Sequence, residues 1–252
     1  MSVTAGTMCA MSTTQHAFLQ AALNGDRDHP AVPRTSDEIA ADTAAAVAAG
    51  AQSVHVHVFD DEGRQTLAAH YVARALRAVR ASCPGVPISL TTSADVEADP
   101  ASRYRAIEAW TELPDLVTAN QGEDGIADLC ELLAGRGVGI EAGLLSFDDA
   151  RAFVASGAAR WCRRIMVEPL DADPDEAVAH AAAIEKLVTD ADITLEQVHH
   201  GDGIASWSVN RRAIPLGHGI RTGLEDTPVL PDGRRARDNA ELVAAAITML
   251  GR

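Results

Sequence analysis

The feature that most constrains this chain is an alternation. Short β-branched or apolar runs are each followed by a longer Ala-rich run. Strand character falls at 17–23, 52–58, 87–92, 115–119, 138–142, 163–168, 194–199 and 219–223. Helix character falls at 36–49, 67–82, 100–110, 124–135, 147–156, 174–190, 203–216 and 238–250. Strict β-then-α order predicts a parallel sheet covered by helices. Eight such units predict an α/β chain closed into a (β/α)8 TIM barrel, a single catalytic domain over 16–252. The length of 252 residues suits a fold that takes about 250. A doubly wound open sheet is the alternative, but no G-x-G-x-x-G or P-loop follows the first strand. Local signals agree. Thr35 precedes Ser36-Asp37-Glu38 at one helix start, Asp173-Pro174 opens another, and Gly50, Gly137, Gly157 and Gly217 follow helices. Residues 1–15 lack a basic start followed by an apolar stretch, so they read as a flexible tail and not a signal peptide.

Composition narrows the chemistry. The net charge of −15 would repel a duplex of phosphates, so nucleic acid is an unsuitable partner. The one lysine, Lys186, lies in the helical run HAAAIEKLV, which argues against Schiff-base chemistry at a strand end. Cys9, Cys83, Cys130 and Cys162 are widely spaced and suggest reduced thiols. No apolar run approaches the roughly 18 residues that span a membrane. The cytoplasm is the expected location.

The strongest local motif is VHVHVFD at 54–60. Side chains alternate along a strand, so His55 and His57 point to one face. At the C-terminal end of a barrel strand they sit where barrel enzymes keep their sites. Two core histidines with ordinary hydrogen bonds would share that spacing. Other strand ends shift the balance. The eighth ends in RTGLED, with Arg221, Glu225 and Asp226, and the seventh in His199-His200. The third ends in Thr91-Thr92-Ser93, the fourth near Asn120, the fifth and sixth near Glu141 and Glu168. Neutral imidazoles with a carboxylate suit zinc or a similar divalent ion. Barrel metallohydrolases place H-x-H on the first strand and want further histidines on the fifth and sixth, so the match to a hydrolase is poor.

The stretches ALNGDRDHPAVPRTSDEIAAD (21–42), GAQSVHVHVFDDEGR (50–64), ISLTTS (88–93), VTANQGEDG (117–125) and GIRTGLEDTPVLPDGRRARDNAELV (219–243) resemble the β-keto acid cleavage enzymes. These are also described as 3-keto-5-aminohexanoate cleavage enzymes. The resemblance runs from about residue 18 to 251. It implies a zinc-bound barrel, dimeric or tetrameric, that turns a β-keto acid and acetyl-CoA into acetoacetate and a new acyl-CoA. Carried over, His55, His57 and Glu225 match the metal ligands. Arg221 and Asp226 match the dyad that activates the substrate, with Thr91 as an assisting hydroxyl. Asn24, Arg27, Ser93, Asn120 and Glu141 are the candidate substrate contacts.

Two positions depart from the family pattern. Where the first-characterised type uses a Glu toward the substrate's amino group, this chain has Asn24-Gly25-Asp26-Arg27. An Arg27 facing the substrate points to a neutral or anionic distal group, while an outward Arg27 is an ordinary loop residue. Phe59 stands where an Arg is expected. Arg211-Arg212 and Arg234-Arg235-x-Arg237 could receive CoA phosphates or form surface ion pairs. A metal-dependent lyase working without CoA, and a barrel that binds metal and ligand without catalysis, are the competing readings.

Overall fold

The computed structural model describes residues 17–252, so the expected tail at 1–15 lies outside the described residues. Among the described residues, eight parallel strands close into a barrel in sequence order. They are β1 (Leu19–Ala22), β2 (Ser53–Val56), β3 (Ile88–Thr91), β4 (Leu116–Asn120), β5 (Gly139–Leu144), β6 (Cys162–Val167), β7 (Glu196–His199) and β8 (Gly219–Thr222). Each leads into a helix: α1 (Ser36–Ala49), α2 (Ala69–Ser82), α3 (Pro100–Glu108), α4 (Ile126–Gly135), α5 (Phe147–Ser156), α6 (Pro174–Asp190), α7 (Ala205–Ala213) and α8 (Asn239–Met249). The expected elements are therefore present, mostly trimmed by one to three residues at an end. The run expected as one helix over 203–216 stops at Ala213 and continues as a 3-10 turn, Ile214–Leu216. Pro215 lacks the N–H that would continue the α-helical ladder.

Caps explain several boundaries. Thr35 accepts a bond from the Glu38 amide while the Glu38 side chain returns to the Thr35 amide, which starts α1. Ser146 and Asp149 repeat this device on α5, and Asp99 and Asp173 cap helices whose first residue is proline.

The apolar core lies between sheet and helices. Val54, Ile88, Leu90, Val117, Ile140, Ile165 and Ile220 are buried there with Leu76, Leu133, Phe153, Ile184 and Leu242 of the helices. The barrel interior is polar instead. Gln20 donates to Glu141 across the barrel, Ser89 donates to the same carboxylate, and Thr118 does so at 3.3 Å. Arg164 approaches Glu141 from β6 at 3.8 Å. Many barrels fill this space with branched apolar side chains. Here a polar network centred on the Glu141 carboxylate fills it, with hydrogen bonds from Gln20, Ser89 and Thr118, while Gln20 Oε1 and two nitrogens of Arg164 stay without a hydrogen-bond partner.

Closure sets the site. β1 pairs with β2 on one edge and β8 on the other, with Ala22 opposite His55 and Gln20 opposite Arg221. Only one strand then separates the paired histidines from the end of β8. Gly223 lets β8 turn tightly over β1: a Cβ there would lie 1.8 Å from the Ala22 carbonyl oxygen. Asn239 of α8 accepts from the Leu224 amide at 2.7 Å and donates to the Leu23 carbonyl at 2.7 Å, tying both strand ends together. Gly223→Ala should therefore destabilise the protein by about 1–3 kcal/mol or more, the usual scale of overpacking. A denaturant midpoint equal to that of the parent protein would contradict this packing argument.

Candidate metal and active site

The end of β2 and the turn after β8 bring three ligand-type side chains together. His55 Nε2 lies 3.7 Å from Glu225 Oε2, and His57 Nε2 lies 3.5 Å from Glu225 Oε1. Each imidazole is oriented through its other nitrogen. His55 Nδ1 meets Ser89 Oγ at 3.1 Å, and Ser89 is itself bonded to Glu141. His57 Nδ1 meets Gln65 Oε1. Gln65 arrives because the chain after β2 folds back on itself, bridging Phe59 to Gln65. Such outer partners fix ring orientation in metal sites. Gly25 makes room for the carboxylate, since a Cβ there would lie 3.1 Å from Glu225 Cγ.

Electrostatics suit a cation. Burial pushes His55 down to about 3, so its imidazole is neutral with a free lone pair. Burial opposes protonation of His57 as well, but the Glu225 carboxylate outweighs it and the net shift is upward. Burial disfavours an ionised Glu225, yet Arg221 and the two imidazoles hold its carboxyl well below the usual range. Glu225 Oε2 is buried without a hydrogen-bond partner. A buried carboxylate oxygen left unpaired is costly, and a cation between Glu225 and the imidazoles would relieve it.

Two other groups of ligand-type residues exist among the described residues, Glu185–His199–His218 and Glu168–His200–Asp226. In the first, Glu185 already pairs with Arg212 and His218, and the His199 and His218 rings stack in parallel at 4.6 Å. Stacked rings direct their lone pairs side by side and not toward one point. In the second, Arg221 bonds both oxygens of Asp226, with Nη2–Oδ1 at 2.6 Å. Of the three groups, the one around Glu225 is the one with a fully buried carboxylate oxygen that has no hydrogen-bond partner.

A cavity of about 320 Å³ opens over the site. Of the expected residues, Arg27, His55, His57, Thr91, Ser93, Asn120, Arg221 and Glu225 line it, joined by Gln65, Thr118, Glu168, Leu170 and Asp202. Asn24 and Glu141 do not reach it, and the expectation that they contact substrate directly gives way to another placement. Asn24 spends its amide on the His57 backbone, accepting at 2.7 Å and donating at 3.0 Å, and on Pro33. Glu141 lies fully buried beneath His55 and Ser89. Asp226 stands behind the cavity wall, 3% exposed, gripped by Arg221. Burial works against ionising Asp226, but Arg221 outweighs it and keeps the carboxyl low, so it is a carboxylate at neutral pH.

Arg27 turns inward. Its guanidinium donates to the Glu225 carbonyl at 3.0 and 3.1 Å and to the Asp226 carbonyl at 3.3 Å, and it pairs with Asp202. His200 faces the barrel interior, while His199 faces α6 and the residue before β8. The basic pairs are largely claimed: Arg212 holds Glu185, Arg234 holds Asp232, and Arg237 holds Glu241. Thr118 was legible in principle, because it shares a strand face with Asn120 two residues on. Gln65 had no such signal, since its place depends on a hairpin after the strand.

Comparison with known proteins places the chain in a family. A family model described as beta-keto acid cleavage enzyme matches residues 16–164 and 160–252. The 3-keto-5-aminohexanoate cleavage enzyme of Fusobacterium nucleatum is 29% identical over 239 residues, 88% of this chain and 85% of that protein. The 3-oxoadipate:acetyl-CoA acetyltransferase of Cupriavidus necator is 28% identical over 252 residues, 92% of this chain and 87% of that protein. Among solved structures, the ternary complex of ObcA with C4-CoA adduct and oxalate has a TM-score of 0.71 at 17% identity, over 88% of this chain. This chain spans only 64% of that ObcA chain, and the likeness is one of fold. With the family model matching almost its whole length, the chain belongs to the beta-keto acid cleavage enzyme family.

Proposed function

We propose that this protein cleaves a β-keto acid using acetyl-CoA, giving acetoacetate and a new acyl-CoA, with a divalent metal, zinc by preference, held by His55, His57 and Glu225. The observation that carries the metal assignment is the buried, unpartnered Oε2 of Glu225 facing two oriented imidazoles. The two relatives' activities, a keto acid cleavage and an acetyl-CoA acetyltransfer, support the reaction class. When bound, the cation supplies Lewis acidity that favours the enolate of the keto acid.

The chain's own residues do the rest. Asp226 is assigned as the general base for the C2 proton. It is 3% exposed behind the cavity wall and Arg221 is bonded to both of its oxygens, so the substrate must reach past the Arg221 guanidinium, which also orients the carboxylate. Thr91 on the cavity wall binds or polarises a substrate oxygen, with Ser93 and Asn120 beside it. The enolate attacks the acetyl carbonyl and CoA leaves as thiolate. The thiolate then attacks the original ketone, and cleavage of the C2–C3 bond leaves a carbanion that regains a proton as acetoacetate. No lysine is required.

Arg27 bears on which keto acid is used. Held by backbone carbonyls at the mouth, it favours a neutral or anionic distal group, such as the second carboxylate of a β-keto dicarboxylate. The Cupriavidus necator relative, named for 3-oxoadipate, is consistent with that class. We further propose a cytoplasmic homo-oligomer, dimer or tetramer. Its apolar contact surface would include Phe147, Leu170 and Ile204, exposed by 41%, 54% and 40%. No helix among the described residues is long and apolar enough to cross a membrane.

Three outcomes test this reading. His55→Ala should lose the metal, read by elemental analysis, while its circular dichroism stays that of the parent, because the ligands sit at the rim; full occupancy would count against the ligand set. Asp226→Asn should retain metal and lose about 100-fold or more in kcat; near-parent turnover would remove Asp226 from the base role. A panel of β-keto acids, each with and without acetyl-CoA, should show strict dependence on acetyl-CoA and a preference for dicarboxylates. Undiminished turnover without acetyl-CoA favours the lyase reading, and preference for an amino-bearing keto acid excludes Arg27 as the selector.

A further inference from the structure

We propose that His200 and Glu168 form, with Asp226, a path that carries the C2 proton between the enclosed base and the open cavity. This rests on the reading of Asp226 as the base.

His200 is fully buried, and its place is fixed by the backbone. Its amide donates to the Val167 carbonyl at 3.0 Å. The next residue, Gly201, sits where a Cβ would come within 3.4 Å of the Pro169 carbonyl oxygen and of Ser206 Cα. The ring is thereby lodged between two carboxylates. Nδ1 lies 3.5 Å from Asp226 Oδ1, and Nε2 lies 3.4 Å from Glu168 Oε2. Neither nitrogen has a closer hydrogen-bond partner. A buried imidazole so placed is expensive as packing material. It is also the one side chain that accepts a proton on one nitrogen while releasing another from the opposite side.

The surroundings give such a path a purpose. Asp226 is 3% exposed and does not line the cavity, while Glu168 does. Arg221 covers the other side of Asp226 with Nε and Nη2 and has no acceptor to offer a proton. A proton on Asp226 therefore leaves through His200 or back to the substrate. Burial raises the Glu168 carboxyl above the ordinary range, so it holds a proton readily at the far end.

The transfer balances without any further reactant. Asp226 takes the proton from C2, and the C–H electron pair stays on the enolate. The new Asp226 O–H gives its proton to His200 Nδ1 as His200 Nε2–H passes its own to Glu168. One proton has moved from C2 to Glu168, and the imidazole has changed tautomer. Run in reverse, the same path delivers a proton to the carbanion left after cleavage.

The test separates proton exchange from turnover. Metal-loaded enzyme is mixed in D2O with the β-keto acid of highest turnover in the panel above, without acetyl-CoA, and the loss of C2–H is followed by NMR over the buffer rate. The parent protein should exchange rapidly. His200→Gln should lower the ratio of exchange rate to turnover by about 100-fold, the lower end of what a positioned acid–base group contributes. Glu168→Gln, altered on the cavity wall, should lower the same ratio and serves if the His200 variant does not fold. An unchanged ratio in both variants overturns the path while leaving Asp226 as base. A parent protein that turns over but exchanges no faster than buffer also overturns it. Normal turnover by Asp226→Asn instead removes the base assignment, and the path with it.

Discussion

The closure of the barrel through β1 is the constraint on which the mouth depends. β1 is only four residues long, yet it registers Ala22 against His55 on one side and Gln20 against Arg221 on the other. Two groups of side chains with no contact along the sequence, at 55–57 and 221–226, thus meet over one cavity. Gly223 permits the tight approach, and Asn239 binds both strand ends from α8. A shift of one residue in either pairing would turn His55 or Arg221 toward the helices, because strand side chains alternate.

Arg221 is the electrostatic centre of that arrangement. Its guanidinium lies 2.6 Å from Asp226, 3.0 Å from Glu225 and 3.8 Å from Glu168, so one buried and two half-buried carboxylates share one fixed cation. One positive charge cannot neutralise three. Glu225 is completed by the proposed metal, Asp226 is held ionised by Arg221, and Glu168 is left with a raised affinity for a proton. Two of the three carboxylates are thus held ionised while the third has a raised affinity for a proton, and environment alone separates them.

Much of this was legible in the sequence because local periodicity reports local structure. The β/α alternation gave the architecture, and alternation within VHVHV put both imidazoles on one face. RTGLED carried the dyad and the carboxylate in one short turn. What stayed hidden depends on contacts between distant segments. Asn24 looked like a cavity residue because it stands just past the end of β1, but its amide is consumed by the backbone of His57. Glu141 also ends up below the site, since the barrel interior is polar and takes it into a network with Gln20 and Ser89. Gln65 depends on a hairpin that no strand pattern announces. The inward turn of Arg27 depends on carbonyls contributed from the turn after β8, almost the whole chain away.

The central claim is that two imidazoles of β2 and the carboxylate of Glu225 hold one cation. Anomalous scattering from crystals of the purified protein, collected on either side of the zinc edge, addresses it directly. The expected result is a single strong peak about 2.0–2.2 Å from Nε2 of His55, Nε2 of His57 and a Glu225 oxygen. A peak at Glu185–His199–His218 in its place, or density at the mouth with Glu225 turned away, would contradict the account.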